Sequence, residues 1–264
     1  MNNTGASPKA KQIILDSLKM VDTIIEVVDA RAPISSRNEE IKRLTKDKNR
    51  VIIINKSDLI TKEDAEKVEN YFKKEQRYSV CLSAKEGTSI KRLYYILEAI
   101  YKAKKERFER RKVKALPLKI MILGIPNVGK SQLINALTGR KIVNVENRPG
   151  STRGQQWINI IPNVQLLDTP GILWATGRRE ALRRLEVIGN IKLTDAQDIA
   201  NSIIDLLKLK VLNDKYTLEV TSKEDFLPKL AEKLNEEDIN KAANIIIEDF
   251  REGKIDKILV DNFI

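Results

Sequence analysis

Gly124-Ile125-Pro126-Asn127-Val128-Gly129-Lys130-Ser131 has the spacing GxxxxGK[ST]. That spacing suits one kind of chemistry. Backbone N–H groups from Gly124 to Ser131 ring a chain of phosphates, and Gly129 has no side chain to block their approach. Lys130 sets its ammonium on the β- and γ-phosphates, and the Ser131 hydroxyl ligates Mg²⁺. A second cluster, Asn55-Lys56-Ser57-Asp58, reads NKxD. The Asp58 carboxylate can accept two N–H groups from a guanine edge. Adenine offers no such pair and would leave the carboxylate unpaired at a cost of at least ~1–3 kcal/mol. Asn55 would brace neighbouring loops, and the Lys56 stem would lie over the base. Ser83-Ala84-Lys85, one strand pattern later, presents the Ala84 N–H to the base oxygen.

Asp168-Thr169-Pro170-Gly171 follows a strand pattern 37 residues after Ser131. Asp168 is expected to hold Mg²⁺ through water, and the Gly171 N–H to sense a γ-phosphate. Between the two lies Arg148-Pro149-Gly150-Ser151-Thr152-Arg153-Gly154, a loop whose threonine can close on the metal. Thr152 is the first candidate and Ser151 the second. SAK, DTPG and the threonine loop are each weak alone. Together, in strand-end contexts, the five elements imply GTP binding. Their order is unusual, because the guanine reader precedes the phosphate loop by about 70 residues. Both can serve one nucleotide only in a circularly permuted sheet.

The positioning elements are visible as short apolar runs followed by amphipathic stretches. Strand patterns cover Thr23–Asp29, Val51–Asn55, Tyr78–Leu82, Leu118–Leu123 and Val164–Asp168, with Trp157–Ile161 as an added edge strand. Helical patterns fall near 8–20, 37–46, 62–75, 88–112 and 129–138. Such alternation means an α/β fold with a mostly parallel sheet covered on both faces. After Gly171 the strand signal fades. Residues 178 to about 252 read as helices, with starts expected at Thr194-Asp195, Ser222 and Asn235. The expected architecture is a permuted P-loop GTPase domain over 1–175 and a smaller all-helical domain over 176–264.

The 264 residues contain no histidine and one cysteine, which removes a histidine base and the usual zinc sites. Cys81 sits in a strand pattern and reads as a buried reduced thiol. With no apolar leader and no run long enough for a bilayer, the expected location is the cytoplasm. The net charge is +11, which favours a polyanion such as nucleic acid. It is unevenly placed: residues 210–264 carry 9 Lys/Arg against 13 Asp/Glu, so residues 1–209 hold +15. The densest basic run is Lys102–Lys114. It suits either a solvated helix with internal Glu/Arg pairs or a phosphate-contacting surface. Pro117 is placed to end that helix.

The chain resembles the circularly permuted GTPases of ribosome assembly, and among them the bacterial RbgA/YlqF family. The resemblance rests on Asp29-Ala30-Arg31-Ala32-Pro33, the NKSD cluster, the phosphate loop, Arg148-Pro149-Gly150, Gln155-Gln156-Trp157 and Asp168-Thr169-Pro170-Gly171-Ile172-Leu173-Trp174. It runs from about residue 8 to the C-terminus. It implies a GTPase, stimulated by the ribosome, that binds the immature large ribosomal subunit. The helical domain would contact rRNA, and neither DNA nor membrane would be a partner. It implies potassium-assisted hydrolysis, with Asn127 at the position associated with K⁺, and the nucleotide cofactors are GTP/GDP with Mg²⁺. Off the ribosome a monomer is expected. Two positions depart from a water-orienting pattern. Ile172 stands where Ras-like enzymes carry glutamine, and Ala6, within Gly5–Lys11, stands where the family carries a histidine. The catalytic group is therefore unassigned. The alternative is a GTP-gated RNA-binding module with negligible hydrolysis. DTPG leads almost directly into the helical part, so the nucleotide is expected to set its angle.

Overall fold

Strand β1 (Thr23–Asp29) is buried at every position, which only a strand covered on both faces can be. The computed structural model describes residues 8–139, 156–168, 178–235 and 238–261. β1 pairs in parallel with β2 (Asn49–Asn55) on one side and β4 (Leu118–Leu123) on the other. Beyond β2 lies β3 (Tyr78–Cys81), also parallel. Beyond β4 lies β6 (Val164–Asp168), and β5 (Gln156–Ile161) closes that edge antiparallel to it. The order is β3-β2-β1-β4-β6-β5. The chain winds one way from β1 and the other way from β4, so the two adjacent strands form a topological switch point. Open α/β sheets bind ligands at the carboxyl ends of such strands.

Helices α1 (Pro8–Met20), α2 (Glu39–Leu44), α3 (Lys62–Glu75), α4 (Ile90–Glu109) and α5 (Lys130–Thr138) connect or flank these strands. Their caps follow residue chemistry: the Asn38 side chain accepts the N–H groups of Glu40 and Ile41, and Thr61 accepts that of Asp64. α4 ends at Glu109, well before Pro117. Lys112 turns left-handed (φ 57°) and the Val113 N–H reaches back to the Phe108 carbonyl, a closure that needs no proline.

The second half is helical: α6 (Arg179–Val187), α7 (Ala196–Leu206), α8 (Leu209–Tyr216), α9 (Phe226–Lys233) and α10 (Ile239–Arg251). Asp195 caps α7 as expected. Two expected starts move. The Ser222 Oγ accepts the Asp225 N–H, and α9 begins only after Asp225. Asn235 adopts φ 52° just past the end of α9, a left-handed conformation asparagine tolerates, and Asp238 caps α10 instead. One apolar cluster runs from Ile25, Val27 and Leu93 under the sheet to Leu185, Ile203, Phe226, Ile246 and Phe250 of the helices. The two parts therefore share a core. The segment after α10 returns to the sheet, where the Val260 N–H bonds the Arg31 carbonyl at 2.6 Å. No helix among the described residues is long and apolar enough to cross a membrane. Cys81 is buried, and desolvation pushes its thiol up to about 12.

Candidate nucleotide site

Each motif falls at the carboxyl end of a parallel strand: NKSD after β2, SAK after β3, the phosphate loop after β4. One side chain ties all three. Asn55 Nδ2 donates to the Val128 carbonyl at 2.8 Å, and its Oδ1 accepts the Ala84 N–H at 3.0 Å. Asn55 is buried, so neither bond competes with water. The guanine-reading loop, the base loop and the phosphate loop are thus held in fixed relation across 73 residues of chain.

Two glycines make the approach possible. A Cβ on Gly124 would lie 2.6 Å from the Val27 carbonyl oxygen, where β4 leaves the sheet against β1. A Cβ on Gly129 would lie 2.2 Å from Asn55 Nδ2, and its φ of +94° already disfavours any other residue. Gly129 then opens α5, so the first N–H groups of that helix face the loop.

Asp58 lies in the 3-10 turn Ser57–Leu59, and its Oδ1 is buried with no hydrogen-bond partner. An orphaned buried acceptor is costly. A guanine edge, which carries two N–H donors, supplies what it lacks, so the site fits the nucleotide inferred from NKxD. Lys56 adopts φ 64° and sends its ammonium to Asp29 Oδ2 at 2.7 Å. That anchor fixes the stem expected beneath the base. Ser83 and Lys85 flank Ala84 on the base loop. The Ser83 Oγ accepts the Glu86 N–H at 3.2 Å, which holds the turn.

Lys130 Nζ donates to the carbonyls of Gly124 (3.0 Å) and Ile125 (2.7 Å), curled over its own loop. Burial lowers its pKa to about 8. Phosphates would favour the charged form and raise it again, so binding takes up a proton once the free lysine begins to deprotonate. Guanine nucleotide affinity is therefore expected to be flat below pH 8 and to fall above it, by up to about tenfold per pH unit. Titration with a fluorescent GDP across pH 7–9.5 checks this, and Lys130→Ala should flatten the profile. The Ser131 hydroxyl, next on α5, has no hydrogen bond among the described residues, which leaves it available to a metal. Asp168 ends β6, beside β4. The Asp168 side chain, Ser151, Thr152, Gly171, Ile172 and Ala6 lie outside the described residues.

In the sequence Asp29 and Arg31 stand only as part of the family signature. The structure gives them work. Asp29 is fully buried and accepts from the Arg31 N–H and Nε through Oδ1, and from Arg31 Nη2 and Lys56 through Oδ2. Burial acts to raise its pKa, but the two cations outweigh it and hold the carboxyl at about 2. For Lys56 burial wins, and its ammonium titrates below the ordinary lysine range despite Asp29.

The same Arg31 reaches the helical part, donating to the carbonyls of Ile188 (2.9 Å) and Arg251 (3.4 Å). Asn127 of the phosphate loop donates to the neighbouring Gly189 carbonyl at 3.1 Å. The phosphate loop and the Arg31 segment after β1 thus hold one turn, the one that ends α6. Asp261 Oδ2 accepts the N–H groups of Ile34 and Ser35, locking the segment after Arg31. None of these partners was legible from spacing, since each lies more than 150 residues from Arg31 or Ile34 or offers only a carbonyl.

A family model described as "50S ribosome-binding GTPase" matches residues 119–247. A Bacillus cereus protein named ribosome biogenesis GTPase A is 30% identical over 270 residues, covering 96% of this chain and 90% of its own length. A Priestia megaterium protein of the same name is 37% identical over 203 residues, 74% of this chain and 69% of its own. Among solved structures, GNP-bound YlqF from T. maritima shares the fold with a TM-score of 0.64, over 96% of this chain and 98% of that one at 24% identity.

Proposed function

We infer the function from one premise, that this chain belongs to the ribosome biogenesis GTPase A family. We propose that it binds and hydrolyses GTP in the assembly of the large ribosomal subunit, and that its nucleotide state controls a grip on rRNA. The observation that carries the nucleotide part is the Asn55 bridge, which ties guanine reader, base loop and phosphate loop together despite the permuted order. Asp58 and Ala84 take the guanine edge. Asn55 and Ser83 hold the loops, Lys56 and Lys85 line the base, and Asn127 to Ser131 wrap the phosphates. Ser131, Thr152 and Asp168 would hold Mg²⁺, which supplies charge neutralisation on the phosphates. Gly171 would sense the γ-phosphate, and Asn127 is the residue proposed beside K⁺.

The domain division is proposed at 175/176, with RNA contact assigned to the helical side. Arg178, Arg179 and Arg183 are exposed there, whereas Arg184 is half-buried and paired with Glu180 and Asp261. Nucleotide control would pass through the turn at Ile188-Gly189, which the phosphate loop and Arg31 both hold. A protein that is cytoplasmic and monomeric off the ribosome completes the reading.

The test is GTP turnover in potassium buffer with and without large ribosomal subunits. Stimulation of at least about tenfold, lost in Lys130→Ala, is the expected result, since group-supplied stimulation in related phosphoryl transfer runs far higher. Tight GTP binding without turnover in either condition would replace it with a GTP-gated binding module. That outcome would make Ala6, in place of a histidine, decisive.

A further inference from the structure

At the end of the sheet opposite the nucleotide, the amino ends of β1, β2, β3 and β4 frame a cleft of about 690 Å³. Its charged lining is Lys46, Lys48, Arg50, Arg77, Lys104 and Arg107 against only Asp22 and Asp47. The cleft therefore carries a net +4. Cations do collect at helix C-termini, and those of α2 and α3 lie at this end. Two such ends supply roughly −1 in all, so an excess of about +3 remains. Nor does the neighbouring buried cluster absorb it. Glu26 and Glu75 pair with Arg37 and Lys42, which already balance them, and Arg50 adds a further cation 3.7 Å from Glu26.

The cations differ in how they are held. Lys48 is tethered to the Val21 carbonyl at 2.8 Å, and Lys104 to Asp22 and the Pro117 carbonyl. These pre-place charge on the cleft wall. Lys46, Arg77 and Arg107 are exposed and have no ion-pair partner among the described residues. Arg77 lies over the Tyr78 ring, 5.2 Å from its centroid. The basic run Lys102–Lys114 continues from Arg107 past the end of α4.

We propose that this cleft and the end of α4 form a phosphate-backbone site for structured RNA, separate from the helical part and about 20 Å from the nucleotide, the length of the strands between. An RNA duplex offers what the cleft selects, closely spaced phosphates on a rigid path. The contact is to backbone and carries no sequence preference. It goes beyond the reading of the helical part as the RNA-contacting unit, giving the chain two separated RNA surfaces.

The probe is a fluorescein-labelled RNA duplex of 20 base pairs, its binding to the full chain followed by anisotropy from 50 to 200 mM KCl. Lys46→Gln/Arg77→Gln/Arg107→Gln is compared with a control of equal charge, Lys62→Gln/Lys67→Gln/Lys91→Gln, at exposed positions outside the cleft. The cleft variant should lose about 2–3 units of slope in log affinity against log salt, while the control keeps the wild-type slope. GDP affinity and thermal midpoint serve as the fold check. Equal slopes for wild type and cleft variant, or equal losses in both variants, overturn the proposal. So does a cleft variant that keeps duplex binding but loses polyglutamate, which would point to an acidic protein. Failure of the assembly reading shows instead as absent stimulation by large subunits, a different readout.

Discussion

Gly129→Ala is expected to raise the dissociation constant for GDP and GTP by at least about 100-fold while the protein stays folded. The new Cβ would fall 2.2 Å from Asn55 Nδ2, and ordinary contact requires one of them to retreat by about 1 Å. Displacements of that size at a preorganised site cost on the order of 10²-fold. Asn55 cannot yield without losing the Val128 or the Ala84 bond. The damage therefore reaches base and phosphate recognition together. The positive φ adds backbone strain of about 1–2 kcal/mol. Isothermal titration with GDP, alongside circular dichroism, measures both parts. Near-wild-type affinity in Gly129→Ala would show that the Asn55 bridge does not shape the site.

Arg31→Ala should be the most destabilising single change among the nucleotide-side residues. It strips the buried Asp29 carboxylate of a bidentate partner and removes two bonds to the helical part. Breaking a buried pair costs about 3–5 kcal/mol because the remaining charge is left uncompensated. Lys56 still touches Asp29, so about 3 kcal/mol is the better figure, or roughly 6–12 °C in thermal midpoint for a chain of this size.

The pH dependence separates this from a simple loss of packing. Asp29 titrates near 2 when folded, against 3.8 for its ordinary value. A carboxyl depressed in this way stabilises fully above its unfolded pKa and loses that contribution as pH falls from about 4 toward 2. Without Arg31 the folded pKa rises, and that acid-dependent loss should shrink. Adding Asp29→Asn to Arg31→Ala should recover part of the stability, because the orphaned charge is gone. A double variant no more stable than the single one would assign the loss to the bonds with Ile188 and Arg251.

The sequence alone pointed to a GTPase and to its sheet. Strand and helix periods located β1 to β6 and α1 to α5 within a few residues, because buried parallel strands read as apolar runs and their helices as amphipathic ones. Even the edge strand β5 was visible from Trp157 to Ile161. Motif spacing against those strands put NKSD, SAK and the phosphate loop at one edge, since each follows a strand and parallel strands share a direction. The permuted order then followed from position alone.

Tertiary structure decided what spacing cannot carry. Asn55 was expected to brace loops, but its partners, the Val128 carbonyl and the Ala84 N–H, are backbone groups present in every residue and leave no sequence signal. Helix starts at Ser222 and Asn235 failed because the same residue types also serve turns and left-handed closures, and only the packing of α9 and α10 chose between them. Arg31 bridges Asp29 to carbonyls more than 150 residues away. The cleft cations lie on four separate segments, after α2, on β2, after α3 and on α4. A chain reports what each residue is; which charges share a cleft depends on how the strands are ordered in the sheet.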